Sequence, residues 1–121
     1  MKQPKNDDRY EWTDHAWEKM QYYAIPESRV KRIIRFPART EEGIAEETVA
    51  VMQPAGSKRY SEIWVMYALA KGKKRRLKGL ENFALDTGKK IRVITAWRYP
   101  GKSPERDPIP AEVLAEIRNL L

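Results

Sequence analysis

The sequence predicts an α+β domain in which an N-terminal helical hairpin packs on an antiparallel sheet of three or four strands, followed by a C-terminal helix. Apolar residues recur at helical spacing between residues 13 and 35 and again after residue 110. Between these two regions the spacing changes to the alternation that is typical of strands, and turn residues separate the runs. Helices and strands that are segregated along the chain in this way favour an antiparallel sheet.

Length and composition set the outer limits of the domain. The chain has 121 residues, of which 41% are hydrophobic, so it can form one domain with a modest core. Residues 1–11 are polar and mixed in charge, so we expect a flexible tail there and a single domain at 12–121. No apolar run approaches the ~20 residues of a membrane span, and no N-terminal signal segment stands out. We therefore expect a cytoplasmic protein that does not contact a membrane.

The residue types limit metal and nucleotide chemistry. The sequence contains no cysteine and one histidine, which excludes a zinc site with thiolate ligands and a site with several histidines of one chain. The residues before Gly56-Ser57-Lys58 lack the glycine spacing of a phosphate-binding loop. We therefore expect no metal, no cofactor and no nucleotide hydrolysis.

The charge balance favours an anionic partner. Lys and Arg number 24 against 17 Asp and Glu, a formal net charge of +7. A small basic domain is biased towards nucleic acid, an acidic protein or an anionic surface, although the same charge can simply keep a protein soluble. The densest cationic segment is predicted to contact RNA phosphates, the alternative being a solvated hairpin tip. Its cationic residues are Lys71, Lys73, Lys74, Arg75, Arg76 and Lys78.

The two helices of the hairpin are predicted at residues 13–24 and 26–35. Thr13 can cap the first helix. Pro26 fits the first position of the second helix and disfavours helical backbone at the residue before it. His15 and Lys19 lie four residues apart, so they share one face of the first helix.

Strands are predicted at residues 44–53 and 60–70, as an antiparallel pair joined by a turn at 54–57. The clearest strand runs from Lys90 to Arg98, because β-branched and aromatic residues favour a pleated surface. Alternation assigns Ile91, Val93, Thr95 and Trp97 to one face of this strand, and Arg92, Ile94, Ala96 and Arg98 to the other. Trp64 and Trp97 are predicted to lie in the core. Residues 80–85 fit a short strand or a helical turn equally well.

The last helix is predicted to begin at Pro110. Its apolar stripe consists of Val113, Leu114, Ile117, Leu120 and Leu121. The stripe either covers the core or docks a partner, and a scaffold domain that dimerises through it is a further alternative. The oligomeric state is left open.

Three stretches resemble motifs of a family of small bacterial and phage domains of unknown function. These domains begin with Thr-x-His-Ala-x-x-Arg-Met, continue with Gly-Ile-Ser/Pro-Glu-x-x-Val and end with Val-Ile-Thr-x-Trp-Arg. The corresponding stretches here are residues 13–20, 24–30 and 93–98. Two departures are Lys19 in place of the family's Arg, which loses the bidentate guanidinium fork, and Tyr22-Tyr23-Ala24 where Glu-Arg-Gly is common.

This family is grouped with the RelE- and BrnT-like toxins. The resemblance therefore implies the small α+β fold of RelE- and barnase-like toxins. It also implies RNA as the substrate of a metal-independent cleavage, and an acidic antitoxin-like protein as a second partner.

Metal-free RNA cleavage needs a base for the 2′-hydroxyl, an acid for the leaving oxygen and cations for the charge on phosphorus. His15 has the side chain whose ordinary pKa suits acid–base work near neutral pH, and a helix N-terminus favours its neutral form. Arg98 and Lys19 are the candidate phosphate ligands, and Tyr99 is a candidate proton donor or stacking partner. The alternative for His15 is a structural histidine inside the fold.

The leading hypothesis is a toxin-like RNA-binding protein, and whether it is also a metal-independent endoribonuclease is left open. The alternative is a non-catalytic interaction module that binds nucleic acid or an acidic protein. The observation that discriminates between them is whether His15 and Arg98 share one open cleft.

Overall fold

The part of the chain that the structure describes forms three helices and a main sheet of five strands. The structure, a computed structural model, describes residues 1–45, 47–70, 75–76, 84–85 and 90–118. The helices are α1 (Asp14–Tyr22), α2 (Glu27–Arg35) and α3 (Ala111–Ile117). The strands are β1 (Tyr10–Trp12), β2 (Arg39–Glu42), β3 (Thr48–Ala55), β4 (Ser61–Ala70), β5 (Arg75–Arg76), β6 (Ala84–Leu85) and β7 (Lys90–Pro100). The predicted α+β class is confirmed.

The main sheet is mixed, whereas the sequence predicted three or four antiparallel strands. Its strand order is β1-β7-β4-β3-β2, and β5 and β6 form a separate two-stranded antiparallel sheet. Strand β1 runs parallel to β7, and the other neighbours in the main sheet are antiparallel. Strand β7 therefore has a partner on both sides, as its apolar composition predicted.

Strand β1 begins inside the segment that was predicted as a flexible tail. Tyr10 is buried, and its backbone N–H donates to the carboxylate of Asp7 at 2.7 Å. The backbone N–H of Trp12 donates to Asn6 Oδ1 at 2.8 Å. Two side-chain acceptors thus fix the chain just before and within this strand. Three residues are too few for alternation to show in the sequence, which explains the missed strand.

Strand β2 was also not predicted. It reads Arg-Thr-Glu-Glu, and it pairs only with β3 at the edge of the sheet. Polar residues are common on edge strands, where charge opposes pairing with other chains. Its partner β3 starts at Thr48, four residues later than the predicted start at Ile44.

Strand β7 contains a β-bulge that changes which side chains share a face. Met66 pairs with Thr95 and Tyr67 pairs with Val93, so Ile94 is an extra residue opposite the Met66–Tyr67 step. A bulge shifts the alternation of the strand by one position. The predicted face assignment holds through Ile94 and is wrong beyond it. Ala96 packs with the core on one face and Trp97 with the core on the other.

The sheet separates two cores. Helices α1 and α2 cover one face, which we call the α1–α2 face, and α3 covers the other, the α3 face. The core of the α1–α2 face includes Ala16, Met20, Ile25, Val30, Ile33, Val51, Ile63, Val65 and Val93. The core of the α3 face includes Met52, Trp64, Met66, Ile94, Trp97, Val113 and Ile117.

Helix α3 packs on the sheet through two residues of its predicted apolar stripe. Val113 and Ile117 are buried against the α3 face. Leu120 and Leu121, which were predicted to extend the stripe, lie outside the described residues. The predicted core tryptophans are confirmed, because Trp64 and Trp97 are fully buried and stack with ring centroids 5.9 Å apart.

A buried carboxylate lies at one end of the α3 face. Glu62 Oε1 accepts hydrogen bonds from Trp64 Nε1 at 3.0 Å, from the backbone N–H of Ser103 at 3.2 Å and from the Ser103 hydroxyl. Its Oε2 accepts from the Tyr60 hydroxyl at 2.9 Å and lies 3.6 Å from Arg39 Nη1. Burial tends to raise the pKa of Glu62, but the hydrogen bonds from Ser103, Trp64 and Tyr60 outweigh burial and lower that pKa. This network ties the segment after β7 to β2 and β4.

Candidate nucleic-acid interface

His15 and Lys19 meet the C-terminal helix at one carboxylate. Thr13 caps α1, because its hydroxyl accepts from the Ala16 N–H at 3.0 Å and donates to the Ile94 carbonyl at 2.9 Å. This anchor fixes the start of α1 against β7. His15 Nε2 then lies 3.7 Å, and Lys19 Nζ 2.8 Å, from Glu116 Oε2. The predicted shared face of these two residues is confirmed, and their common neighbour is a carboxylate.

The His15 side chain is mostly buried, with 13% of its surface exposed. Its Nε2 atom is buried and has no hydrogen-bond partner among the described residues. Burial lowers the pKa of His15 and the charge of Lys19 lowers it further, while the carboxylates of Glu116 and Glu18 oppose the shift. The neutral imidazole is thus favoured in the folded protein.

We expect the His15 imidazole to titrate below pH 6.5, its ordinary value. Because its pKa is lower in the folded state, the unfolded state binds more protons, so the free energy of unfolding falls as the pH drops through 6.5 and below. The chain has one histidine, so one imidazole NMR signal follows the titration. Glu116→Gln should lower this pKa further, because it removes a carboxylate that raises it. A midpoint at or above pH 6.5 in the unmodified protein would contradict this account.

A pocket of about 350 Å³ lies at the start of α1, which we call the His15 pocket. Glu11, Asp14, His15 and Arg92 are its charged or titratable lining residues. Parallel pairing of β1 with β7 places Glu11 beside Arg92, with Arg92 Nε 3.7 Å from Glu11 Oε1. Sequence reasoning missed both residues, because the parallel pairing of a three-residue strand leaves no sequence signal.

Arg98 lies away from the His15 pocket. Its Nε donates to the carbonyl of Tyr23 at 2.9 Å, next to the C-terminal end of α1, whereas His15 is in the first turn. At 1.5 Å per helical residue, eight residues separate these two ends by about 12 Å. Arg98 is not among the residues that line the His15 pocket. Of the three predicted catalytic residues, the structure brings His15 and Lys19 together and places Arg98 elsewhere.

Tyr99 and Arg98 lie on opposite faces of the sheet. Tyr99 packs partly buried against the α3 core, while Arg98 pairs with Ile63 and its side chain reaches Tyr23 on the α1–α2 face. Successive residues of a strand point to opposite faces. The two predicted site residues therefore do not contribute to one surface.

Arg98 lines a second, open pocket of about 470 Å³, which we call the Arg29–Arg98 pocket. It lies between the start of α2, the turn that joins β3 to β4 and the end of β7. Arg29 of α2, Tyr60 and Ile63 also line it.

Gly56, the first residue of the β3–β4 turn, has a φ of +92°, which favours glycine. An added Cβ there would lie 2.3 Å from the carbonyl oxygen of Arg59.

Cationic side chains continue from this pocket along α2 and the β3–β4 turn. We define the basic surface as Arg29, Arg32, Arg35, Lys58, Arg59 and Arg98. Arg32, Arg35, Lys58 and Arg59 are exposed. Within the described part of the chain, none of the six forms an ion pair with a carboxylate. Two aromatic rings lie beside them, Phe36 with 70% and Tyr60 with 48% of its surface exposed.

The predicted phosphate-binding segment from Lys71 to Lys78 lies largely outside the described residues. Of this segment, the backbone of Arg75 and Arg76 forms β5, which pairs with β6. Lys71, Lys73, Lys74 and Lys78 are not described. The predicted RNA contact of this segment stays a prediction.

Two further findings concern the described residues only. None of the described helices is long and apolar enough to cross a membrane. No group of three or more His, Asp or Glu side chains in the described ranges is placed to hold a metal ion together.

Comparison with known proteins gives no match. No protein-family model, no curated protein and no solved structure matches this chain. The resemblance to the RelE- and BrnT-like toxin group therefore stays a prediction from the three sequence motifs.

Proposed function

We propose that this protein binds single-stranded RNA through the basic surface on α2 and the β3–β4 turn. The observation that carries the proposal is a set of six cationic residues that form no ion pair with a carboxylate in the described part of the chain. Cations that are already paired contribute less to binding an anion. Some other described cations are paired, such as Lys19 with Glu116 and Arg92 with Glu11, and others are unpaired and far along the chain from this surface, such as Lys5 and Arg118.

The chemistry of this surface suits a flexible polyanion. Cationic side chains bind phosphates and release condensed counterions, which makes affinity fall steeply with salt. Exposed aromatic rings can stack on unpaired bases without preference for sequence. Both exposed rings belong to the same elements as the cations: Phe36 follows Arg35 at the end of α2, and Tyr60 lines the pocket with Arg29 and Arg98.

The test measures the RNA affinity of a double variant in which two cations of the basic surface are replaced by glutamate. Fluorescence anisotropy with a 20-nucleotide single-stranded RNA at several salt concentrations gives the affinity and its salt slope. We expect Arg32→Glu with Lys58→Glu to weaken binding by at least tenfold and to flatten the slope, because two phosphate contacts are lost.

The matched control reverses two exposed cations elsewhere, Lys5→Glu with Arg118→Glu. Both pairs change the net charge equally. Equal loss of affinity in the two variants would show that net charge alone drives binding, which would overturn the proposed surface. An acidic antitoxin-like protein is the alternative occupant of the same surface, and unmeasurable RNA binding by the unmodified protein would favour it.

A second candidate function is metal-independent RNA cleavage on a toxin-like α+β fold. Support comes from the His15 pocket, where a histidine with a lowered pKa lies near a carboxylate, Glu11, and a guanidinium, Arg92. Proton transfer by a side chain of this kind is worth about 10²–10⁴-fold in rate. In this arrangement Arg92, and not Arg98, is the candidate phosphate ligand.

Cleavage of a mixed-sequence RNA with a chelator present tests this second function. We expect His15→Gln and Arg92→Gln each to abolish cleavage, while Lys5→Glu preserves it. Intact RNA after incubation with the unmodified protein between pH 5 and 8 would reject the endoribonuclease and leave the binding proposal in place.

A further inference from the structure

The Arg29–Arg98 pocket contains two guanidinium groups that the fold holds in place. Arg29 Nη2 donates to the carbonyl of Pro54 at 3.0 Å, and Arg98 Nε donates to the carbonyl of Tyr23 at 2.9 Å. Each hydrogen bond fixes one edge of a planar group, so less side-chain entropy remains to be lost when a ligand binds. The two arginines come from α2 and β7, which pack on the same sheet.

Each of these arginines has further N–H donors with no protein acceptor among the described residues. Arg29 Nε is buried and has no hydrogen-bond partner among the described residues. Neither arginine forms an ion pair with a carboxylate in the described part of the chain. Two carboxylates are next in sequence to pocket-lining residues. Glu27 lies 3.6 Å from Lys31 in an ion pair on α2, and Glu62 is held in the buried network with Ser103, Trp64 and Tyr60. A buried donor without a partner costs free energy, and the Arg29 guanidinium carries a charge that no carboxylate among the described residues balances.

Two arginines that line one pocket favour a dianion over a monoanion. A phosphate monoester carries about −1.5 to −2 charges at pH 7, whereas each phosphodiester of an RNA backbone carries one. Guanidinium groups match phosphate oxygens in bidentate pairs. The rest of the pocket is apolar or aromatic, with Pro26, Ile63 and Tyr60 in its lining, which suits the sugar and base of a nucleotide.

We propose that the Arg29–Arg98 pocket binds the terminal phosphate monoester of a nucleotide. The inference deepens the proposed function and rests on it, since the phosphorylated end of a bound RNA would be anchored in this pocket while the chain follows the basic surface. A free mononucleotide presents the same group, so the experiment uses both sources.

The experiment compares RNAs that differ only at one end. The probes are one 10-nucleotide RNA with a 5′-phosphate, with a 3′-phosphate or with hydroxyl groups at both ends, and adenosine 5′-monophosphate. Calorimetry should show at least tenfold tighter binding of one phosphorylated RNA than of the hydroxyl form. Arg29→Gln and Arg98→Gln should each remove this gain.

The control variant is Arg32→Gln, one turn further along α2 and outside the pocket lining. This variant should bind all three RNAs more weakly by the same factor, because it removes a contact to the RNA backbone and no contact to the terminal phosphate. Since Arg98→Gln also removes the hydrogen bond to Tyr23, a second measurement uses the unmodified protein. There the Nε–Hε NMR signals of Arg29 and Arg98 should shift on addition of adenosine 5′-monophosphate.

The outcomes separate the two proposals. Tight binding of all RNAs without preference for a terminal phosphate, with no shift of the two arginine signals, would overturn the pocket inference and leave RNA binding intact. Binding of the mononucleotide with those shifts, but of no RNA, would support the pocket and overturn the proposed function.

Discussion

Replacement of Glu62 by Gln should destabilise the protein by about 3–5 kcal/mol, since it removes a buried charge that several groups surround. Glu62 is fully buried, and it accepts hydrogen bonds from Ser103, Trp64 and Tyr60. The amide of Gln would direct an N–H₂ group at hydrogen-bond donors and leave Arg39, 3.6 Å away, without its buried counter-charge. Urea unfolding of the two proteins at pH 7 measures the difference.

The pH dependence of stability offers an independent check of the same network. Because the pKa of Glu62 is lowered in the folded state, its contribution is fully present above the ordinary value of 4.5 and is lost as the pH falls through the folded pKa. The Glu62→Gln variant should therefore lose less stability on acidification than the unmodified protein.

Glu41→Gln is the matched control for this prediction. Glu41 also pairs with Arg39, at 3.2 Å, but it lies on the edge strand β2 and is partly exposed. Its loss should cost less than about 1 kcal/mol. Equal unfolding midpoints for the Glu62 and Glu41 variants would contradict the special role of the buried network.

Trp97→Ala should cost about 3–5 kcal/mol, because it opens a large cavity between the sheet and α3. Trp97 is fully buried and its ring stacks on that of Trp64, with the two planes 4° apart. No other side chain can fill the space without movement of α3, whose Val113 and Ile117 pack in the same core. Thermal and urea unfolding both measure the loss.

A second variant, Trp97→Phe, tests whether the indole N–H contributes to stability separately from the volume of the ring. The Trp97 indole N–H is buried and has no hydrogen-bond partner among the described residues, so its removal leaves no acceptor unsatisfied. We expect a smaller cost than for Trp97→Ala, because a phenyl ring still fills most of the space. A loss as large as that of Trp97→Ala would mean that the indole nitrogen has an essential partner.

The elements that consist of long periodic segments could be predicted from the sequence. Strand β4 lies within the predicted range 60–70, and its residues alternate, with Ile63 and Val65 on the α1–α2 face and Trp64 and Met66 on the α3 face. Helices α1, α2 and α3 also lie within the predicted ranges, apart from the residues after 118, which are not described. In these segments the burial of a regular apolar face decides the structure, and that face is visible in the sequence.

Pairing between distant segments could not be predicted in the same way. The bulge at Ile94 depends on the fit of β7 to β4, and the parallel strand β1 depends on docking of a three-residue segment. Both features decide the composition of the candidate sites. Parallel pairing brings Glu11 and Arg92 to His15, and the shifted alternation leaves Arg98 on the α1–α2 face beside the pocket that Arg29 also lines.

The central claim is that RNA binds to α2 and the β3–β4 turn. Titration of ¹⁵N-labelled protein with a 10-nucleotide single-stranded RNA, followed by amide NMR signals, tests it without any substitution. We expect the largest shifts in α2, residues 27–35, and in the turn at residues 56–60, with small shifts in α3, residues 111–117. Shifts that concentrate in α3, or the absence of any shift at low salt, would contradict the claim.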